Sequence, residues 1–265
     1  MRFGPSIGAG VIALAIAVSG CVGRDQRLLD DAQRLWLGEH YEESASKLLL
    51  LVDEYSDSKL VPRALLRLGE IYYLNLDDPD KSAAYFLRLA ESKDDGGLGL
   101  QARNYLADIY ENSKRNYDLA IEQYQTILSE YSDKINENDY RYKVARAYFR
   151  KQNYAQAIIE YQALLERNPN EDLRLDALYQ IATCKFISGK TGEALEIFKG
   201  LLAKYPKSRY DYDIRLGIGS CYEEQEKLPD ALLEYQKMLK LYPDKALIER
   251  KIDSVQKRMD KKLSP

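Results

Sequence analysis

The stretch ALEIFKGLLAKYPKS (residues 194–208) returns thirty-seven residues later as ALLEYQKMLKLYPDK (231–245). Within each copy the apolar residues recur at i, i+3, i+4 and i+7, the spacing of one helix face and not the alternation of a strand. Pro206 and Pro243 end the two helices, since proline has no amide hydrogen to continue one. Working backward, EYSDS (54–58), EYSDK (130–134) and RNPNE (167–171) close similar patterns. The small residue that opens each pattern gives the frame: Ser44, Ser82, Ala120, Ala157, Ala194 and Ala231, at intervals of 38, 38, 37, 37 and 37.

The frame predicts further columns. Four residues on stand Leu48, Phe86, Tyr124, Tyr161, Phe198 and Tyr235, and seven on stand Leu51, Leu89, Ile127, Leu164, Leu201 and Met238. Twelve or thirteen residues upstream a second small column appears: Ala32, Gly69, Ala107, Ala145, Ala182 and Gly219. Three beyond it stand Leu35, Tyr72, Tyr110, Tyr148, Lys185 and Tyr222. Small residues at fixed places let two helices approach closely, and a large residue one turn away fills the space beside them. Each repeat is therefore a pair of antiparallel helices.

These columns resemble the tetratricopeptide repeat. The resemblance implies an all-α solenoid of about six helical hairpins over residues 25–244. Its usual period is shorter, so the surplus residues are expected in the loops after the second helices. Asn75–Asp80 and Asp94–Gly97 read as loops. Residues 245–265 read as a capping helix and tail, with Ile248, Ile252, Val255 and Met259 on one face to cover the last apolar surface.

Ahead of the repeats, Arg2 is followed by an apolar run from Ile7 to Val18 and then by Val18-Ser19-Gly20-Cys21. A basic start, a short apolar core and small residues at the exit describe a secretory signal over residues 1–20. The run is too short to span a bilayer as a helix. Val-Ser-Gly-Cys resembles the lipobox of bacterial lipoproteins, which implies acylation of Cys21. Two or more acyl chains give stable membrane attachment. Residues 21–24 are then a lipidated tether, so the solenoid is expected close to the bilayer. Val22 follows the cysteine where an Asp usually signals inner-membrane retention. This points to the periplasmic face of the outer membrane.

With 39 Lys and Arg against 42 Asp and Glu, the chain has no basic surplus of the kind that neutralises nucleic-acid phosphates. The one histidine, His40, falls in the loop of the first hairpin. No phosphate loop and no HExxH or CxxC motif is present. No catalytic residue, metal, small-molecule substrate or cofactor beyond the lipid on Cys21 is expected. Cys184 and Cys221 lie one repeat apart, at equivalent places on neighbouring first helices; packed helices usually lie farther apart than a disulfide spans, so two buried thiols are expected, with a disulfide in the oxidising periplasm as the alternative.

In tetratricopeptide folds the first helices line a concave groove. Carried over by register, the groove takes Trp36, Leu37, Tyr73 and Leu74 as an apolar pocket near the anchored end. Tyr142, Arg146, Phe149, Tyr179 and Phe186 follow, with Gln33, Glu70, Asp108, Glu111, Arg150, Ser220, Glu223 and Glu224 among them. Aromatic and Arg side chains are the usual anchors of protein interfaces. The lipobox, short tether and Tyr-Pro-x-Ser endings together resemble the BamD family of outer-membrane lipoproteins. That resemblance implies a scaffold that binds a β-barrel insertase and unfolded outer-membrane proteins. Two other families share part of the pattern: the Tol-Pal-associated coordinators (CpoB or YbgF) and the six-repeat pilotins that escort a secretin. A cell-wall-acting enzyme is the remaining alternative.

Overall fold

The computed structural model describes residues 23–263, apart from Asp94 and Asp244. The signal segment, Cys21 and the start of the tether lie outside the described residues. All regular secondary structure among the described residues is helical: thirteen α-helices, a π-turn and a short 3-10 turn at Ser132–Lys134. Six hairpins follow in order: α1 (Arg24–Leu37) with α2 (Tyr41–Glu54), α3 (Val61–Leu74) with α4 (Pro79–Ala90), α5 (Gly99–Asp108) with α6 (Tyr117–Glu130), α7 (Glu137–Arg150) with α8 (Tyr154–Glu166), α9 (Glu171–Ile187) with α10 (Thr191–Lys204), and α11 (Asp211–Glu224) with α12 (Leu228–Leu241). Helix α13 (Ala246–Leu263) closes the C-terminal end, burying Ile248 and Val255 completely and packing Ile252 and Met259 beside them.

Each small column lies at a crossing. Ser44 and Ser82 show how close the helices come: each hydroxyl donates to the facing carbonyl of the other small column, Ala32 and Gly69, at 2.8 Å. The large residues of the second helix fill the space alongside. A Cβ on Gly69 would stand 2.5 Å from the Phe86 ring, and one on Gly219 would stand 2.3 Å from the Tyr235 ring. Glycine is required at these two crossings because the ring already occupies the place of a methyl group.

The third column is explained by the turns. In every hairpin the carbonyl of that residue accepts the amide that closes the turn: His40 to Leu35, Asp78 to Tyr72, Asn116 to Tyr110, Asn153 to Tyr148, Lys190 to Lys185 and Lys227 to Tyr222. The residue before each donor is left-handed, namely Glu39, Asp77, Arg115, Gln152, Gly189 and Glu226. In repeats 1, 4, 5 and 6 this is the Schellman ending of a helix, and of the six left-handed residues only Gly189 is a glycine. Four turns span five residues. Those of repeats 2 and 3 span six, the surplus seen where the two small columns stand thirteen apart. Repeat 2 takes it up in a longer turn. Repeat 3 takes it up in a π-turn, Ile109–Ser113, at the end of α5. Such bulges keep a helix going with one extra residue.

The surplus over the usual period otherwise sits after the second helices, as expected; the longest of those loops, residues 91–98, holds Gly96 and Gly97 at positive φ. The stretch Asn75–Asp80 is loop only through Asp78. Pro79 starts α4, where its missing amide hydrogen costs nothing, and Asp78 caps the helix by accepting from the Lys81 amide at 3.0 Å. Cys184 and Cys221 are both buried and unbridged, and burial raises both thiols to about 11.

Candidate partner-binding groove

The first helices form the inner side of the solenoid, where α9 touches both α7 and α11. Four residues after the small column they present Trp36, Tyr73, Glu111, Phe149, Phe186 and Glu223. The four aromatic residues are half-buried. Trp36 lies under the Arg67 guanidinium, 4.6 Å from its ring centre, and its indole N–H reaches Asn75 at 3.4 Å. Tyr73 donates its hydroxyl to Asp108 and meets Tyr105 edge-on. Phe149 meets Tyr154 edge-on at 5.7 Å, and Phe186 packs against the core of repeats 5 and 6. Leu37 and Leu74 are left at 68% and 64% exposure.

Glu111 and Glu223, expected in the groove, are instead buried to 1% and 8% exposure. Each accepts the hydroxyl of the large tyrosine on its own second helix, Tyr124 at 2.7 Å and Tyr235 at 2.6 Å. Each also takes two cations from the next inner helix. Glu111 holds Arg146 and Arg150 at 3.2 Å, and Glu223 holds Lys251 and Arg258 of α13 at 2.9 and 3.1 Å. A buried carboxylate is tolerated where charges and hydrogen bonds satisfy it. Helix α13 thus engages repeat 6 as a seventh first helix would.

The other expected groove residues fall into two groups. Tyr142 packs on Tyr161, with ring centres 5.5 Å apart, and burial first among its causes pushes its hydroxyl up to about 12. Tyr179 stacks on Tyr210 at 4.1 Å. Arg146 is held by Glu111 yet remains on the wall of a cleft of about 640 Å³. This cleft lies between repeats 3 and 4, where Leu100, Asn104, Tyr105, Asp108, Tyr124, Lys143 and Arg146 surround it. The apolar pocket anticipated around Trp36 and Tyr73 lies outside it, since those rings are engaged by the following repeats.

Lys143, Asn104 and Tyr105 did not emerge from the sequence. A signal for one of them exists: Tyr142 stands three residues before its small column, and the same register in repeat 3 is Asn104. The Lys143 ammonium lies 4.3 Å from the Tyr140 ring centre and 5.7 Å from that of Tyr124. Burial, then the neighbouring Arg146, holds it below the ordinary lysine value. Burial, then the hydrogen bond to Glu111, drives the Tyr124 hydroxyl far above the ordinary tyrosine value, so it stays a donor. Among the described residues no helix is long and apolar enough to cross a membrane, and no cluster of metal-ligating side chains occurs.

A solenoid of helical hairpins with an inner face of aromatic and basic side chains is the architecture of a repeat scaffold for protein partners. The chain belongs to the tetratricopeptide repeat family, whose model matches residues 72–135, 114–172, 142–209 and 179–246. No curated protein sequence matches. Among solved structures, a tetratricopeptide repeat protein from Parabacteroides merdae is similar at 15% identity and a TM-score of 0.52, over 88% of this chain and 98% of that one. PilW, a widely conserved type IV pilus biogenesis factor, is similar at 14% identity and a TM-score of 0.52, with the same two coverages. YrrB, a tetratricopeptide protein with an unusual peptide-binding site, is similar at 18% identity and a TM-score of 0.51, over 78% and 97%. At these identities the likeness is one of fold.

Proposed function

We propose that this chain is a lipid-anchored, non-enzymatic scaffold on the periplasmic face of the outer membrane. Its inner groove holds segments of protein partners during β-barrel assembly. The observation that carries the reading is the groove itself. Half-buried aromatic rings and a cleft walled by Lys143, Arg146 and Asp108 line one face of the solenoid, whose first helix begins three residues after Cys21. The acyl chains on Cys21 would hold that face at the membrane. A β-barrel insertase and unfolded outer-membrane proteins are the partners this placement suits.

A second reading is escort of a secretin. The six hairpins favour it. The test for both is crosslinking in the native cells followed by mass spectrometry, with wild type beside Cys21→Ser and Lys143→Gln/Arg146→Gln. Recovery of a β-barrel insertase, reduced in both variants, is the expected result. Recovery of a secretin in its place would overturn barrel assembly and establish escort. Equal recovery from Cys21→Ser would remove the anchor from the account.

A further inference from the structure

Repeat 2 holds a cleft of about 490 Å³ outside the groove, walled by Val61 and Leu65 of α3 and by Ala84 and Leu87 of α4. Leu65 is buried, and Leu87 is left 37% exposed. The exposed Arg88 and Glu91 also line it. One exposed leucine is ordinary. Its register is not. Leu65, Ala84 and Leu87 correspond to Arg103, Glu122 and Gln125 in repeat 3 and to Arg215, Leu233 and Gln236 in repeat 6. Every repeat but the second has Arg, Ser, Glu, Gln or Lys at one or more of these three places. The cleft also lies where the start of the solenoid is fastened. Ser56, Val61 and Ser92 are shared with a smaller cleft of about 230 Å³ that includes Ser58. The Ser58 hydroxyl donates to the Asp25 carboxylate at 2.6 Å and so ties the first turn of α1 to this place. Cys21 stands four residues before Asp25, a reach of about 14 Å when extended.

We propose that the cleft of repeat 2 receives one acyl chain of the lipid on Cys21 while the protein is away from a membrane. This rests on the lipoprotein reading and adds a second place for the lipid. The four apolar walls suit a hydrocarbon. A tether this short holds the chain at an effective concentration of millimolar order, so a shallow cleft suffices to take part of it out of water. At a bilayer the same chain leaves, because the hydrocarbon interior covers all of its methylenes and the cleft covers only some. The cleft therefore matters in transit, when the lipid has no membrane to enter.

The test feeds the native cells a palmitate analogue that carries a photoactivatable diazirine. The lipidated protein is purified and irradiated in detergent-free buffer and in phospholipid vesicles, and the crosslinked peptides are mapped by mass spectrometry. The expected result is insertion of the label around Leu65 and Leu87 in buffer, replaced by adducts with phospholipid in vesicles. Leu87→Asp puts a charge in the cleft and should lower the yield there about tenfold. Leu50→Asp changes a leucine that is 43% exposed and outside the cleft, and it should leave the yield unchanged. Both side chains are exposed, so both variants should melt as the wild type does. Label spread over the surface, or a yield that survives Leu87→Asp, would overturn the proposal and leave the anchor intact. Adducts between two copies would also overturn it, by giving the cleft to another molecule's lipid. An intact mass with Cys21 unmodified would remove the lipoprotein reading itself, and this proposal with it.

Discussion

Repeats 3 and 4 bury a tyrosine at the same point, yet they treat its hydroxyl in opposite ways. In repeat 3 Tyr124 donates to Glu111, and Glu111 is held in turn by Arg146 and Arg150. In repeat 4 Tyr161 is fully buried and its hydroxyl has no hydrogen-bond partner among the described residues. The reason is visible in the register: Phe149 stands where repeat 3 has Glu111. Repeat 6 repeats the first arrangement with Tyr235 and Glu223. Repeats 1, 2 and 5 avoid the question, because Leu48, Phe86 and Phe198 carry no hydroxyl and face Trp36, Tyr73 and Phe186 in register. The lesson is that one polar atom in this core commits three helices. The tyrosine needs the glutamate, and the buried glutamate needs cations from the following repeat.

The largest effect should come from breaking the satisfied version. Glu111→Ala strands the Tyr124 hydroxyl and leaves Arg146 and Arg150 facing each other without a counter-charge. Removing one member of a buried ion pair costs up to about 5 kcal/mol. Here the arginine side chains are 38% and 40% exposed, so solvent takes up part of the loss. A destabilisation of about 2–3 kcal/mol is expected from urea unfolding followed by circular dichroism. A change within experimental error would show that Glu111 is a spectator and that the comparison between the repeats has no energetic content.

A smaller effect should come from giving repeat 4 the residue of repeat 3. Phe149→Glu places an acceptor near Tyr161, but Thr183 and Ile187 stand where Arg146 and Arg150 stand one repeat earlier. The new carboxylate has a donor and no cation, so about 2 kcal/mol of destabilisation is expected. Adding Thr183→Arg and Ile187→Arg should recover at least half of it. If the single change is neutral, the cations are not required. If the triple change recovers nothing, the three-helix coupling is wrong.

The solenoid was legible because its information is local and repeated. Small residues at crossings and large ones a turn later recur six times, so chance agreement averages out. The small columns stand thirteen apart in repeats 2 and 3 and twelve apart elsewhere, yet that spacing does not say how the extra residue is accommodated. Whether an extra residue lengthens a turn, as at Asn75–Asp78, or is absorbed as a π-turn at Ile109–Ser113 depends on the packing around it. The groove was less legible for the same kind of reason. Glu111 reads as a solvated acid on an inner helix. Its burial depends on Tyr124, thirteen residues away, and on Arg146, thirty-five residues away. Trp36 and Tyr73 read as free anchors, and each proved to be engaged by the following repeat. Lys143 follows Tyr142 in the chain, and its position becomes part of a cleft only once the rings of Tyr124 and Tyr140 are placed around it.

The smallest effect is expected at Tyr161, and its sign against that of Tyr124 separates the two repeats. Tyr124→Phe removes a donor from a buried carboxylate, and the loss of a hydrogen bond to a charged group should cost about 1.5–3 kcal/mol. Tyr161→Phe removes an oxygen that has no partner. An unsatisfied buried hydroxyl carries its desolvation cost without return, so the same substitution should be neutral or stabilising by up to about 1 kcal/mol. Ring volume is unchanged in both, which leaves packing out of the difference. Thermal and urea unfolding of the two variants, measured side by side, decides the matter. If Tyr161→Phe destabilises as much as Tyr124→Phe, the Tyr161 hydroxyl has a partner of its own. The mismatch with Phe149 would then mark no weak point in the solenoid. If the signs differ, the pairing of residues four after each small column is the rule by which this scaffold accepts tyrosine into its core.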